Sequence, residues 1–399
     1  MPEYRYEVVD KYGKHTKANI EAANIDRVKS ILATQDLIVL EVKEASLFSK
    51  DIEIGRVKTK DLAVFCQQMH SIVKAGVSTL DALVMTQSTT QNGKLKKALN
   101  VVIEKVKGGL SLSFAMKDFA DIFPPVMIQM IKAGEESGQL DEIFERLSVQ
   151  FDKTYRMHNQ IKSALAYPKM IIVVMALALC IVCAYIVPMF VDIFKELNTA
   201  LPWSTKLFMA LSDLFTKKWY VLVGIIVFSV SFWLILSHNP KGRRFIDKAK
   251  LKIPLVNNLV IKTASANFAR TLSTLLKAGM DYPTSLDIVK DTMDNTFFIE
   301  GIENIKVDVE NGIPLTDSLK KTQLFPELLE NLLQVGEETG NIEQMLENSA
   351  NYFEDEVQTA TKRLTAALNP IIIVVLGVFV GLLVYSIYTP MFSMYQGIG

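Results

Sequence analysis

The chain repeats itself. The segment FCQQMHSIVKAG, from Phe65 to Gly76, returns as FARTLSTLLKAG from Phe268 to Gly279. Further on, AGEESGQL, from Ala133 to Leu140, returns as VGEETGNI from Val335 to Ile342. The first pair is offset by 203 positions and the second by 202, so the copies stay almost in register. Each copy then enters an apolar run through a proline, Pro168 in the first and Pro370 in the second. A duplicated soluble module, each copy feeding an apolar stretch, constrains the fold more than any single residue.

At 399 residues the chain can hold two or three domains, and half of its residues are hydrophobic. The apolar residues concentrate in three runs without Asp, Glu, Lys or Arg: 170–191, 220–236 and 371–388. Each is close to the roughly 20 residues that cross a hydrocarbon core, so three transmembrane helices are expected. Residues 1–30 are polar and lack the apolar core of a signal peptide, which places the N-terminus in the cytoplasm. Lys153, Arg156, Lys162 and Lys169 precede the first run; Lys241, Arg243, Arg244, Lys248, Lys250 and Lys252 follow the second. Both flanks read as cytoplasmic by the positive-inside rule. The C-terminus, uncharged from Thr389 to Gly399, is then outward. Net charge is zero, which gives no electrostatic case for nucleic acid.

The remaining chain divides by pattern. Residues 1–50 read as a small α/β unit, with strand signals at 4–9 and 38–42, a turn at 10–14 and a short helix at 27–33. Residues 46–58 read as a linker. Residues 59–168 and 254–369 form two homologous helical modules. In the first, Leu62, Phe65, Met69, Ile72 and Val73 recur at helical spacing, and Gly76 can close that helix with a left-handed residue. Further helices are expected over 79–87, 95–107, 111–117, from Phe123-Pro124 to Ala133, and over 140–166. The second copy follows the same scheme, with Phe325-Pro326 and Gly336 to Gly340 in the matching places. The expected fold class is therefore an all-α membrane protein: two cytoplasmic six-helix bundles, three transmembrane helices and the small N-terminal unit. Segment 192–219, with Trp203 and Trp219 near the ends of an amphipathic stretch, suits the outer membrane interface.

A Gly-Glu-Glu-Ser/Thr-Gly turn in each of two helical modules, Phe-Pro ten residues upstream, and a membrane helix after each Pro resemble the F protein of type II secretion systems. The same pattern marks its relatives, the PilC-like inner-membrane platform proteins of type IV pili. The resemblance covers essentially the whole chain. It implies a non-catalytic platform in the cytoplasmic (inner) membrane, multi-pass and homo-oligomeric. It also implies partners: a hexameric assembly ATPase, pilin or pseudopilin subunits, and other inner-membrane assembly proteins. The family turn falls on Gly134, Glu135, Glu136, Ser137 and Gly138, and on Gly336, Glu337, Glu338, Thr339 and Gly340.

Two readings of that turn stay open, and both can hold for different atoms. In one, Gly134 ends a helix with positive φ, Ser137 caps the next, and the acids favour that helix's positive end. In the other, the turn contacts an assembly partner. Gly377 and Gly381 form a GxxxG that either packs membrane helices or is coincidence, since glycine is common in such helices. Cys180 and Cys183, a C-x-x-C inside an apolar run, read as packing rather than redox chemistry, and Cys66 as core. No phosphate-binding loop, nucleophile elbow or metal-ligand spacing of His15, His70, His158 and His238 is present, so no enzyme activity, cofactor or metal is expected. A three-span transporter or channel subunit is the competing reading; its weakness is the lack of ionisable groups within the spans.

Overall fold

The computed structural model describes residues 3–9, 15–21, 38–44, 56–186, 188, 189, 213 and 219–396. At the N-terminus, β1 (Glu3–Val9), β2 (His15–Glu21) and β3 (Ile38–Glu44) form an antiparallel sheet in the order β2-β1-β3. Tyr6 pairs with Ala18 on one side and Val42 on the other, and the β1–β3 register is irregular between Glu7 and Val8. The strand at 15–21 is not among the sequence expectations. The helix expected over 27–33, most of the linker and nearly all of segment 192–219 lie outside the described residues.

The first copy comprises α1 (Thr59–Lys74), α2 (Thr79–Thr89), α3 (Gly93–Lys107), α4 (Leu112–Met116), α5 (Pro125–Ser137) and α6 (Leu140–Ala164). From α6 the chain continues into α7 (Ala166–Ile181), and the second apolar run lies on α8 (Trp219–His238). Then α9 (Pro240–Lys252) leads to the second copy. That copy comprises α10 (Pro254–Lys277), α11 (Tyr282–Asp291), α12 (Thr296–Glu310), α13 (Leu315–Thr322), α14 (Glu327–Thr339) and α15 (Ile342–Gln396).

Each copy closes by laying its last helix along its first, α6 on α1 and α15 on α10. Leu62, Phe65 and Met69 form the buried stripe of α1, at the three- and four-residue steps of one helix face. The Phe65 ring sits 6.5 Å from Phe123 and 6.3 Å from Phe144, the latter edge-on. Its counterpart Phe268 lies 5.0 Å from Phe325, the match of Phe123. The position of Phe144 is taken by Leu346 in the second copy, and the third ring there comes from Phe298 on α12, 5.3 Å from Phe325. An aromatic has moved to another wall while the centre stays filled, as cores tolerate when volume is conserved. Cys66 is fully buried in this core, and burial pushes its thiol up.

The offset between copies changes from 203 to 202 at one corner. The first copy follows α4 with a single tight helical turn, Lys117–Phe119. The second, one residue shorter, turns on Gln323 at φ 53°, the one non-glycine residue with positive φ among the described residues.

Two helical stretches are long and apolar enough to cross a membrane, Leu140–Ile181 and Ile342–Gly381. Ile373 and Val374 on α15 are 68% and 64% exposed, apolar surface that nothing among the described residues covers. The prolines act differently. Pro168 lacks the amide that would bond Ala164, and the helix breaks for one residue at Leu165, ending α6 earlier than the expected 166. Pro370 lies inside α15 without interrupting it.

The paired cores make a specific expectation. Phe65→Ala and Phe268→Ala should each cost about 3–5 kcal/mol, read as equal-sized drops in urea midpoint. A loss confined to one variant would mean that the copies are not equivalent packing units.

Candidate functional site

The Gly-Glu-Glu-Ser/Thr-Gly motif is not a turn between helices for most of its length. The α5 helix runs through Gly134, Glu135, Glu136 and Ser137, past the expected end at Ala133, and the left-handed residue is Gly138 at φ 73°. Likewise α14 runs through Thr339, and Gly340 closes it at φ 69°. In both copies the amides after the helix fold back on the first motif glycine: Gln139 N–H donates to Gly134 O at 3.1 Å and Asn341 N–H to Gly336 O at 2.9 Å. Ser137 does not cap α6, whose N-terminal residue Gln139 makes no side-chain cap.

Gly134 and Gly336 are therefore helical and buried, and they are glycine for space rather than for φ. A Cβ on Gly134 would lie 2.9 Å from Ile143 Cγ1; on Gly336 it would lie 2.8 Å from the backbone Cα of Ile342. The next helix crosses directly over these positions.

The first glutamate of each pair reaches a different helix from the one expected. Glu135 accepts from the backbone amides of Leu112 (2.5 Å) and Ser113 (3.2 Å), the first two residues of α4, and from the Ser113 hydroxyl at 2.5 Å. Glu337 accepts from the amides of Leu315 (2.7 Å) and Thr316 (3.1 Å), which begin α13. A carboxylate placed on the unpaired amides of a helix N-terminus is held by charge-assisted hydrogen bonds and by the helix dipole. The reliance differs between copies. Ser111 also caps α4 through its hydroxyl, at 3.3 Å from Phe114 N, whereas Pro314 before α13 offers no side-chain cap. Both acids sit near the C-terminal end of their own helix, where the dipole disfavours them; the neighbouring N-terminus accounts for their position.

The second glutamates face outward. Glu136 and Glu338 are exposed, with only Lys132 (3.7 Å) and Gln334 (2.9 Å), each one turn earlier, beside them. Ser137 and Thr339 are exposed too. The motif thus splits into an inward Gly-Glu pair that joins three helices and an outward Glu-Ser/Thr pair that reaches no other helix among the described residues. Sequence reasoning found the motif but not the partner helix, because the bond spans 22 residues.

The copies meet through α6 of the first and α10 and α15 of the second. Gln150 donates to Thr271 at 3.2 Å. Glu354 accepts from Lys153 (3.1 Å) and from Arg270 (2.8 Å), and Arg270 also donates to Asn351 (2.6 Å). Burial of Arg270 and Thr271 follows from this seam; their counterparts Gln67 and Gln68 on α1 are more open.

The remaining sequence candidates stand apart from the motif. Gly377 and Gly381 are exposed on α15, with open space where a Cβ would be added, so no helix among the described residues packs on them. Pro168 is buried and Pro370 exposed. Among the described residues no group of three or more His, Cys, Asp and Glu could hold a metal ion.

The profile of type II secretion system protein F matches the chain twice, over residues 65–188 and 268–390, and that family's N-terminal domain matches residues 1–43. The chain is 34% identical to the type IV pilus assembly protein PilC of Thermus thermophilus, over 98% of both chains. It is 31% identical to PilC of Pseudomonas aeruginosa, over 93% of this chain and all of the relative. It is 29% identical to type II secretion system protein F of Xanthomonas campestris, over the full length of both.

Removing the inward carboxylates leaves capped amides without acceptors. Glu135→Ala and Glu337→Ala should each lower stability by about 2 kcal/mol, with Glu337 the more sensitive. Glu136→Ala and Glu338→Ala should stay within about 0.5 kcal/mol of the parent. Urea unfolding of the four purified variants checks this; equal losses at inner and outer positions would refute the division.

Proposed function

Because the chain belongs to the type II secretion system protein F family, we propose that it is a non-catalytic platform protein of a pilus or secretion machine in the cytoplasmic membrane. Its two helical copies lie in the cytoplasm and engage a hexameric assembly ATPase. Three helices cross the bilayer: α7, α8 and the apolar part of α15. The N-terminus is cytoplasmic and the C-terminus outward, and the membrane portion handles pilin-like subunits as they leave the bilayer for a filament. Several copies of the chain assemble together, with Gly377 and Gly381 on α15 available for close helix approach.

The observation that carries this reading is continuity. In each copy the helix that closes the soluble core proceeds directly into an apolar stretch, through Pro168 or Pro370. A displacement of the core therefore has a covalent, hydrogen-bonded route into the membrane. An enzyme would need convergent reactive groups, whereas the doubled motif uses its inner carboxylates up in capping. What remains for partners is the outward pair in each copy, Glu136 with Ser137 and Glu338 with Thr339. These present negative charge and hydroxyls on rigid helix ends, suited to a basic surface of the ATPase.

Three experiments follow in a host that carries the gene. Glu136→Lys combined with Glu338→Lys should abolish surface filaments, or secretion, while the protein remains at normal level in the membrane; unchanged output would remove these residues from the partner surface. Pro168→Ala and Pro370→Ala should alter assembly output through the link, scored by electron microscopy of filaments and by secreted protein in the same cultures. Normal output in both variants would sink the mechanical link. Deletion of the gene separates the two machines: lost filaments with retained pilin marks a pilus platform, and lost secretion with intact filaments marks a secretion platform.

A further inference from the structure

A cavity of about 630 Å³ opens where the apolar helix α8 ends. Its walls are Ser237, His238, Lys241, Arg243, Arg244 and, from the second copy, Thr296 with Glu300. This volume lies within the range of small-molecule sites. We infer that it binds the phosphate of an anionic phospholipid headgroup, which rests on the reading that Trp219–His238 crosses the bilayer.

Three observations point there. The first is charge. The α9 helix carries Lys241, Arg243, Arg244, Lys248, Lys250 and Lys252 against one acid, Asp247. That acid is buried and already engaged, accepting from Lys250 (2.9 Å) and from the amide of Thr296 (3.0 Å). It thereby pins α9 to the start of α12 and fixes the two walls of the cavity. Burial pushes the Asp247 carboxyl up, but the Thr296 amide and Lys250 outweigh it and hold it below the ordinary range, so it stays ionised. Arg243 reaches the Asp294 carbonyl at 3.2 Å, and Arg244 pairs with Glu300 at 3.0 Å while stacking on Phe297. The Lys241 ammonium has no partner among the described residues and is exposed.

The second observation is depth. The run without ionisable groups ends at Leu236, and the cavity begins at Ser237. Lys241 and Arg244 follow Leu236 by five and eight residues on α9, which folds against the end of α8 and so keeps both at headgroup level when α8 spans. The third is a rigid corner with an apolar foot. Asn239 caps α9, accepting from Lys241 N at 3.1 Å. A Cβ on Gly242 would lie 2.2 Å from Leu236 O, so α9 folds tightly against the end of α8. One turn after Lys241, the Phe245 ring is 70% exposed, as an aromatic at the boundary of headgroups and acyl chains would be. A soluble phosphate would gain from the charge but has no use for the depth or the ring. Clusters of basic residues on the cytoplasmic side of a membrane helix attract anionic lipid by about 1 kcal/mol per residue.

The test uses the full chain in phosphatidylcholine micelles titrated with phosphatidylglycerol. Lys241→Gln combined with Arg244→Gln should weaken binding about 30-fold, and Lys241→Gln alone, which breaks no internal contact, should weaken it about fivefold. Glu300→Gln, which removes the one carboxylate of the wall, should tighten it. Lys248→Gln with Lys252→Gln, on the same helix but off the cavity, should change it less than threefold. An equal loss in that off-cavity pair would overturn the site in favour of diffuse surface charge. Displacement by millimolar inorganic phosphate would overturn the lipid as its occupant. Alkaline extraction of membranes separates the underlying reading: a chain released by it does not span, whereas a chain retained without preference for phosphatidylglycerol refutes this inference alone.

Discussion

A carboxylate resting on the N-terminus of a neighbouring short helix fixes the shape of each copy. The α4 helix has five residues and cannot persist on its own, because forming its first turn orders several residues for one hydrogen bond. Glu135 supplies the acceptor its leading amides lack, and Glu337 does the same for α13. Each acid sits one residue after a buried glycine over which the following helix crosses. Displacing that crossing would move the carboxylate away from the amides, and losing the carboxylate would free the short helix from the layer beneath it. Three helices are thus tied at one point, and the outward half of the motif is held rigidly as a consequence.

The two copies share this device yet are not interchangeable, because α6 of the first meets both α10 and α15 of the second. Polar residues at equivalent positions therefore meet different neighbours. Arg270 is buried against Glu354 and Asn351, while its counterpart Gln67 is exposed. The hydrogen bonds that cross this seam join polar side chains, Gln150 to Thr271 and Lys153 to Glu354. Interfaces of that kind between domains of one chain permit relative movement more readily than a continuous hydrophobic core does.

Much of this was legible in the sequence, and the reasons for the rest are physical. Periodicity located the helices because burial of one face is a local pattern: Leu62, Phe65 and Met69 announce their helix without reference to anything distant. The closing glycine Gly76 was legible for the same reason, and its φ of 84° bears it out. The role of Glu135 was not, since a carboxylate 22 residues from its amides leaves no local trace. Reading Gly134 as a helix end followed from the usual meaning of glycine in a Gly-rich string; here glycine answers a close helix crossing, which only tertiary packing reveals. The strand at 15–21 carries Thr16, Ala18 and Ile20 alternating with Lys17, Asn19 and Glu21, too weakly apolar to stand out. The one-residue change of offset was visible, but not that a left-handed Gln323 replaces a tight helical turn.

The two routes from soluble core to membrane differ in stiffness, and that difference bears on the proposed mechanics. The α15 helix runs unbroken for 55 residues, about 80 Å at 1.5 Å per residue, with Pro370 absorbed inside it. The first copy's route is jointed: the helix lapses at Leu165, although Leu165 N still bonds Ile161 O at 3.2 Å and Lys169 N bonds Leu165 O at 3.2 Å. A continuous helix transmits axial displacement and rotation along its whole length, whereas a joint of this kind absorbs bending. Under the proposed function, work delivered to the second copy reaches the membrane through α15 with little loss. Work delivered to the first reorients α7 about Leu165, or crosses the polar seam at Glu354 to the same rod.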